Sequence, residues 1–153
     1  MSTPITEPTS VRPLPQHVVT SAENDWFLQS LVNMVNSSDL SFSITLNVSG
    51  MLVSGELVGG KQYFEGFGAA FASGIEDQDE AENIRKGFAA HGNVYVNADG
   101  TYKQNVEPPS YIHLKDCRFF QPGGEPIPGN AGVWWRGRIR EVGGFNLGGL
   151  SKA

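Results

Sequence analysis

The octet Ser41-Phe42-Ser43-Ile44-Thr45-Leu46-Asn47-Val48 alternates polar and apolar residues without a break. Successive side chains of a strand point to opposite faces, so Phe42, Ile44, Leu46 and Val48 form one apolar face. Ser49-Gly50 follows as a tight-turn dipeptide, and Met51 to Val58 returns as a second strand. The pair predicts an antiparallel hairpin, with Gly55 allowing a bend or bulge in the return arm. A hairpin with one apolar face needs a covering layer, and the flanking sequence supplies one on each side.

On the N-terminal side, Phe27, Leu28, Leu31, Val32 and Val35 recur at steps of three and four, the signature of a helix with one core-facing stripe that ends near Asn36 to Ser38. Thr20 and Glu23 have capping-box spacing ahead of it, so the fold is expected to begin there. Residues 1 to about 20 carry Pro4, Pro8, Pro13 and Pro15 among Ser and Thr with no apolar period, which predicts a disordered tail ahead of a single α+β domain spanning 21–153. On the C-terminal side, Gly59-Gly60 stops the second strand. Tyr63, Phe64, Phe67 and Phe71 then mark a helix to about Ser73. Residues 75 to 91 place Glu76, Asp77, Asp79, Glu80 and Glu82 early and Arg85, Lys86 and His91 late, the order that suits a helix dipole. Between Gly92 and Pro109 the pattern fits either a small hairpin around Asp99-Gly100 or a loop.

Strand character resumes at Tyr111 to Phe120. A Gly/Pro-rich loop covers 121–132, Val133 to Val142 reads as one long strand, and a short last strand lies around Phe145 to Leu147. The layout is α+β: one antiparallel sheet or a small SH3/Sm-like barrel of about five strands, with an N-terminal helix and a helical insertion. The barrel alternative is an analogy of fold and carries no function.

The 153 residues include 19 Gly and 9 Pro, with 39% hydrophobic and 18% charged, which excludes a coiled coil and, with a single cysteine, a disulfide scaffold. No apolar run approaches the roughly 20 residues of a membrane helix, and no basic-then-apolar leader opens the chain, so a cytoplasmic protein without membrane contact is expected. The net charge of -5 has the wrong sign for a partner with a phosphate backbone, making nucleic acid an unexpected partner. The charge is unevenly spread. Up to residue 110 there are 13 acidic and 5 basic side chains, and beyond it 3 and 6. Such polarity allows head-to-tail contacts that need not close.

The chain offers little to catalysis. His113 and Cys117 fall on one strand, four apart, so they would share a face with Tyr111, Lys115 and Phe119 at about 13 Å, too far for a nucleophilic pair. No metal-ligand spacing, no phosphate-cradling glycine motif and no nucleophile elbow occurs, so neither catalytic residues nor a metal or cofactor is expected. Arg136, Arg138 and Arg140 alternate along the last long strand beside Trp134, a stripe that fits a solvated surface or a binding face for an anionic ligand such as RNA.

Ser41 to Gly50, Leu52-Val53-Ser54-Gly55, Tyr63-Phe64, Ile112-His113-Leu114-Lys115-Asp116, Trp135-Arg136-Gly137-Arg138-Ile139, Glu141 to Phe145 and Leu147-Gly148 together resemble the gas vesicle accessory protein U family over about residues 24 to 150. Gly143 stands where that family's pattern has Asp, and residues 92–105 read as added material. The resemblance implies a non-enzymatic accessory protein of the gas-filled buoyancy organelles of prokaryotes, acting by contact with the vesicle shell, with other gas vesicle proteins or with itself, in assembly or clustering. The residues singled out for such contact are Arg136, Arg138, Arg140, Trp134, Phe145, Glu76, Asp77, Asp79, Glu80 and Glu82.

Overall fold

A computed structural model of the chain describes residues 24–104 and 107–150. The predicted tail and the Thr20–Glu23 capping box lie outside the described residues. Helix α1 (Trp26–Asn36) is instead capped by Asp25, whose carboxylate accepts from the Phe27 amide at 2.9 Å. That bond satisfies one of the amides a helix start leaves without a partner.

Strands β1 (Phe42–Val48) and β2 (Met51–Val58) form the expected hairpin, from Phe42 opposite Leu57 to Val48 opposite Met51. Ser49 and Gly50 both take positive φ in its turn. After β2 the chain enters α2 (Gly60–Ala72) and α3 (Gln78–Ala89), then a 3₁₀ segment at Ala90–Tyr95. Gly59 and Gly60 are required at this switch by close approach. A Cβ on Gly59 would lie 2.4 Å from the Val35 carbonyl oxygen, and one on Gly60 2.2 Å from the Tyr95 ring. Among its described residues the stretch that fits either hairpin or loop makes one bridge, Val96 to Tyr102, around a turn at 97–100.

Strands β3 (Tyr111–Phe120), β4 (Val133–Arg138) and β5 (Val142–Leu147) complete an antiparallel five-stranded sheet of order β4-β3-β2-β1-β5. The fold is α+β, with an N-terminal helix and a helical insertion. One expectation fails here. The predicted strand Val133 to Val142 breaks after Arg138 into a 3₁₀ turn, Ile139–Glu141. Its two halves belong to opposite edges of the sheet, so the chain must turn a corner between them. Ile139, 1% exposed, plugs that corner, and its amide donates to the Ser110 carbonyl at 2.9 Å.

The core joins Leu28, Val32 and Val35 of α1 to Ile44, Leu46, Val53, Leu57, Ile112, Leu114, Cys117 and Ile139. Fully burying an aliphatic side chain of this size stabilises by about 1.5–3 kcal/mol, so this layer carries the fold. The other face of β3 and β4 meets α2.

Candidate interaction surface

A bulge in β3 decides which residues reach which face. The pairing of β3 with β4 shifts between Leu114 and Cys117, where Asp116 adopts φ 51°. Asp is among the few side chains that tolerate this left-handed conformation. Its Oδ1 accepts from the Gly132 amide at 3.0 Å, tying the bulge to the start of β4. The extra residue reverses the alternation, so Cys117 and Phe119 pack in the core with Leu114 while His113 points at α2. The expected shared face of His113 and Cys117 is therefore corrected. Burial, reinforced by the Asp116 carboxylate, pushes the Cys117 thiol up to about 12.

His113 lies under the insertion, 1% exposed, its ring 4.6 Å from that of Tyr63 and 5.9 Å from that of Phe64. Arg136 Nε donates to His113 Nε2 at 3.1 Å. An accepting Nε2 fixes the ring proton of the neutral imidazole on Nδ1, which is buried without a partner among the described residues. Burial, with the Arg136 charge adding to it, holds the His113 pKa down to about 3. The Arg136 guanidinium also stacks on the Tyr111 ring at 3.7 Å. This arginine is committed to the fold.

The aromatic set continues through the insertion. Tyr63 meets Trp134 edge-on at 6.1 Å, and Phe67 and Phe71 of α2 meet Phe88 of α3 at 5.1 and 5.0 Å. Trp134 is half-buried. It fills the space over Gly66, where a Cβ would sit 1.9 Å from Trp134 Cζ2, and Lys115 lies 6.0 Å from its ring. Phe145 is likewise half-buried, packed on the core and 5.8 Å from Phe27. The apolar side chains most exposed nearby are Trp26 and Leu147, each at 68%. Trp26 lies just ahead of the α1 stripe and out of its period, the one signal by which the sequence could have singled it out.

The charged residues divide in the same way. Arg136, Arg138 and Arg140 are all exposed, but Arg140 lies in the 3₁₀ turn, so the three arginines do not project from one face of one strand as expected. Asp77 is the N-cap of α3 and accepts from the Asp79 and Glu80 amides at 3.0 Å each. Glu82 is held by Arg85 at 2.6 Å, with Lys86 at 3.8 Å, and the Arg85 hydrogen bond lowers its pKa. Glu76, Asp79 and Glu80 remain exposed without an ion-pair partner among the described residues. These three carboxylates, Arg138 and Arg140 are exposed charge left for a partner, and Arg136, though fixed by neutral His113 and the Tyr111 ring, is exposed and keeps its charge as well.

The family described as gas vesicle protein GvpU-like matches residues 25–150. The chain belongs to the GvpU-like family. No curated protein and no solved structure matches it. The match spans both sheet edges and the whole insertion, so the β3 bulge, the His113–Arg136 pair and the acidic end of α3 all lie in the GvpU-like region. No helix among the described residues is long and apolar enough to cross a membrane, and none of their His, Cys, Asp and Glu side chains group as a metal site would require.

Proposed function

We propose that this GvpU-like protein is a cytoplasmic, non-enzymatic accessory protein that works at the gas vesicle surface, assisting assembly or clustering through contacts with the shell, with other gas vesicle proteins or with its own copies. The family match over residues 25–150 carries this reading. The contact is electrostatic: the carboxylates at the start of α3, Glu76, Asp79 and Glu80, meet Arg138 and Arg140 of another molecule. Support comes from the charge each group leaves unpaired. Arg136, Asp77 and Glu82 are exposed and flank this surface, and the half-buried Trp134 and Phe145 support it.

One exposed pair contributes roughly 0–1 kcal/mol, so several must act together, and salt must weaken them as the Debye length falls from about 10 Å at 0.1 M to about 3 Å at 1 M. The test is light scattering and vesicle co-sedimentation across a salt series, with an Arg138→Glu/Arg140→Glu variant alongside. Arg136 is left intact because it holds His113. Association that declines with salt and is lost in the variant is expected. Association indifferent to both would overturn the electrostatic contact, and no vesicle association at any salt would overturn the functional reading.

A further inference from the structure

The sheet ends in two edges of different character. β4 presents the exposed Arg136 and Arg138, so a second β4 laid beside it would set like charges together. β5 carries no charge and no proline, the usual devices that keep an edge from pairing. Its backbone is also set out to pair. The Gly148 amide donates to the Ser43 carbonyl, and from there Leu147, Asn146 and Phe145 lie opposite Ile44, Thr45 and Leu46. Bonded and non-bonded pairs alternate in an antiparallel ladder, so Asn146 bonds to β1 while Phe145 and Leu147 turn their N–H and C=O groups outward. The Leu147 carbonyl accepts there from the side chain of its own neighbour, Asn146 Nδ2, at 3.1 Å. The side chains add an apolar margin: Phe145 and Leu147 share the face that α1 covers, and Phe27 and the exposed Trp26 continue from Phe145 in steps of 5.8 Å. Gly144 has open space where a Cβ would be, so nothing in one copy of the chain requires a glycine there. Glycine inside a strand often marks the close approach of another backbone.

We infer that β5 pairs with β5 of a second copy, antiparallel about a two-fold axis at Asn146, joining two five-stranded sheets into one. Phe145 of each copy then lies opposite Leu147 of the other, and each such pair exchanges both main-chain bonds. Apolar side chains meet apolar side chains on the α1 face, and Asn146 meets its own image on the other. A second copy fits because the strand has no charge to repel itself and its own antiparallel image brings donors and acceptors at the matching spacing. The axis falls at Asn146 because a register centred on Phe145 would set Leu147 against the irregular pairing at Val142–Gly144. The pairing does not depend on the vesicle reading. Joined to the charged contact proposed above, it would give each dimer two acidic ends and two arginine pairs, the multivalency that clustering uses, and that consequence alone rests on the earlier reading.

The test uses the full chain. Chromatography with light scattering should give about twice the 16.6 kDa chain mass, unchanged between about 0.1 M and about 1 M salt, where an ion-pair contact would fade. Asn146→Cys puts one thiol of each copy at the axis, where opposed Cα atoms of a non-bonded pair stand about 4.5 Å apart, within disulfide reach. Mild oxidation should link it into a covalent dimer on a denaturing gel. Gly144→Cys, about 14 Å from its own image, should stay unlinked, and the native Cys117 is buried. Leu147→Lys, at an exposed position, should weaken the dimer about tenfold or more while leaving the circular dichroism of the fold intact, and Val133→Lys, the matching change on β4, should not. A monomer at every concentration, equal linking of both cysteines, or disruption by Val133→Lys alone would overturn the proposal. So would a monomer whose Phe145 and Leu147 amides resist hydrogen exchange, which would place another occupant on the edge. A dimer that dissolves in salt would overturn it too, and would leave the charged contact standing.

Discussion

The two faces of the sheet are filled with different chemistry. Under α1 the layer is aliphatic: Leu28, Val32, Ile44, Leu46, Leu57, Ile112 and Leu114 are fully buried. Under α2 it is aromatic and partly polar, with Tyr63, Phe64 and Trp134 around His113 and Arg136. The aliphatic layer gains from dispersion and water exclusion and places no demand on orientation. The aromatic layer gains less from burial, because α3 buries no residue completely and Phe71 is 54% exposed. It is oriented by directional contacts, edge-on rings at about 5–7 Å and a guanidinium over a ring. The molecule therefore consists of a stable sheet-and-helix layer and a more loosely held insertion that carries the acidic patch.

The largest expected effect follows from that asymmetry. Leu114→Ala removes buried methyls from the middle of the aliphatic layer and should cost about 2–5 kcal/mol, lowering the midpoint of cooperative unfolding for every probe. Phe88→Ala should act mainly on the insertion. Hydrogen exchange should then quicken in α2 and α3 while β1 and β2 keep their protection. If Phe88→Ala deprotects the sheet as much as Leu114→Ala does, the two layers are one cooperative unit and the comparison fails.

Most of this architecture was legible because period is a local property. The β1–β2 hairpin and the stripes of α1 and α2 show themselves within one or two turns of chain. What was not legible depends on residues far apart. Ile139 keeps the alternation that a continuing strand would have, so only its hydrogen bond to Ser110 and its place between opposite edges reveal the corner. Asp116 reverses the faces of β3 by one φ angle, which no pattern of residue types records. Trp134 and Phe145, read as surface, are half-buried, the first over Gly66 and the second against Phe27. Arg136, read as exposed charge, stays exposed, and its bond to His113 across two paired strands is what the sequence does not show. Arg138, Arg140 and the acidic end of α3 were recognised as charged surface, and that much the structure retains.

A second, smaller effect sharpens the contrast through pH. His113 is neutral in the fold, with its pKa held to about 3, whereas an exposed imidazole titrates near 6.5. As pH falls through that interval the unfolded chain takes up a proton that the folded chain refuses. Stability from this group is thus complete above about pH 6.5 and is lost progressively toward about pH 3, by up to about 1.4 kcal/mol per pH unit. His113→Gln offers Arg136 an acceptor that does not titrate. Its unfolding free energy between pH 4 and pH 6.5 should be flatter than that of the parent, measured by denaturant titration. Equal slopes would show that His113 is protonated in the fold and that the aromatic layer tolerates the charge.

The smallest expected effect belongs to the outermost element. Asp77 caps α3 through two amide bonds of 3.0 Å, and Asp79 and Glu80 follow it in the first turn, where the helix dipole favours negative charge. Asp77→Ala removes both bonds and should cost about 1 kcal/mol of local helix stability. Because α3 packs on α2 and the following 3₁₀ segment, the loss should be confined to the start of that helix. Amide exchange at Asp79, Glu80 and Ala81 should quicken about fivefold, the factor that 1 kcal/mol gives, while Leu46 and Leu114 exchange as before. Asp77→Asn keeps an accepting side-chain oxygen and should restore most of the protection. Recovery in Asn but not in Ala would establish the cap as what orders the acidic patch. Unchanged exchange in both would show that α3 is held by the packing of Phe88 on α2 alone, and that the patch keeps its shape without Asp77.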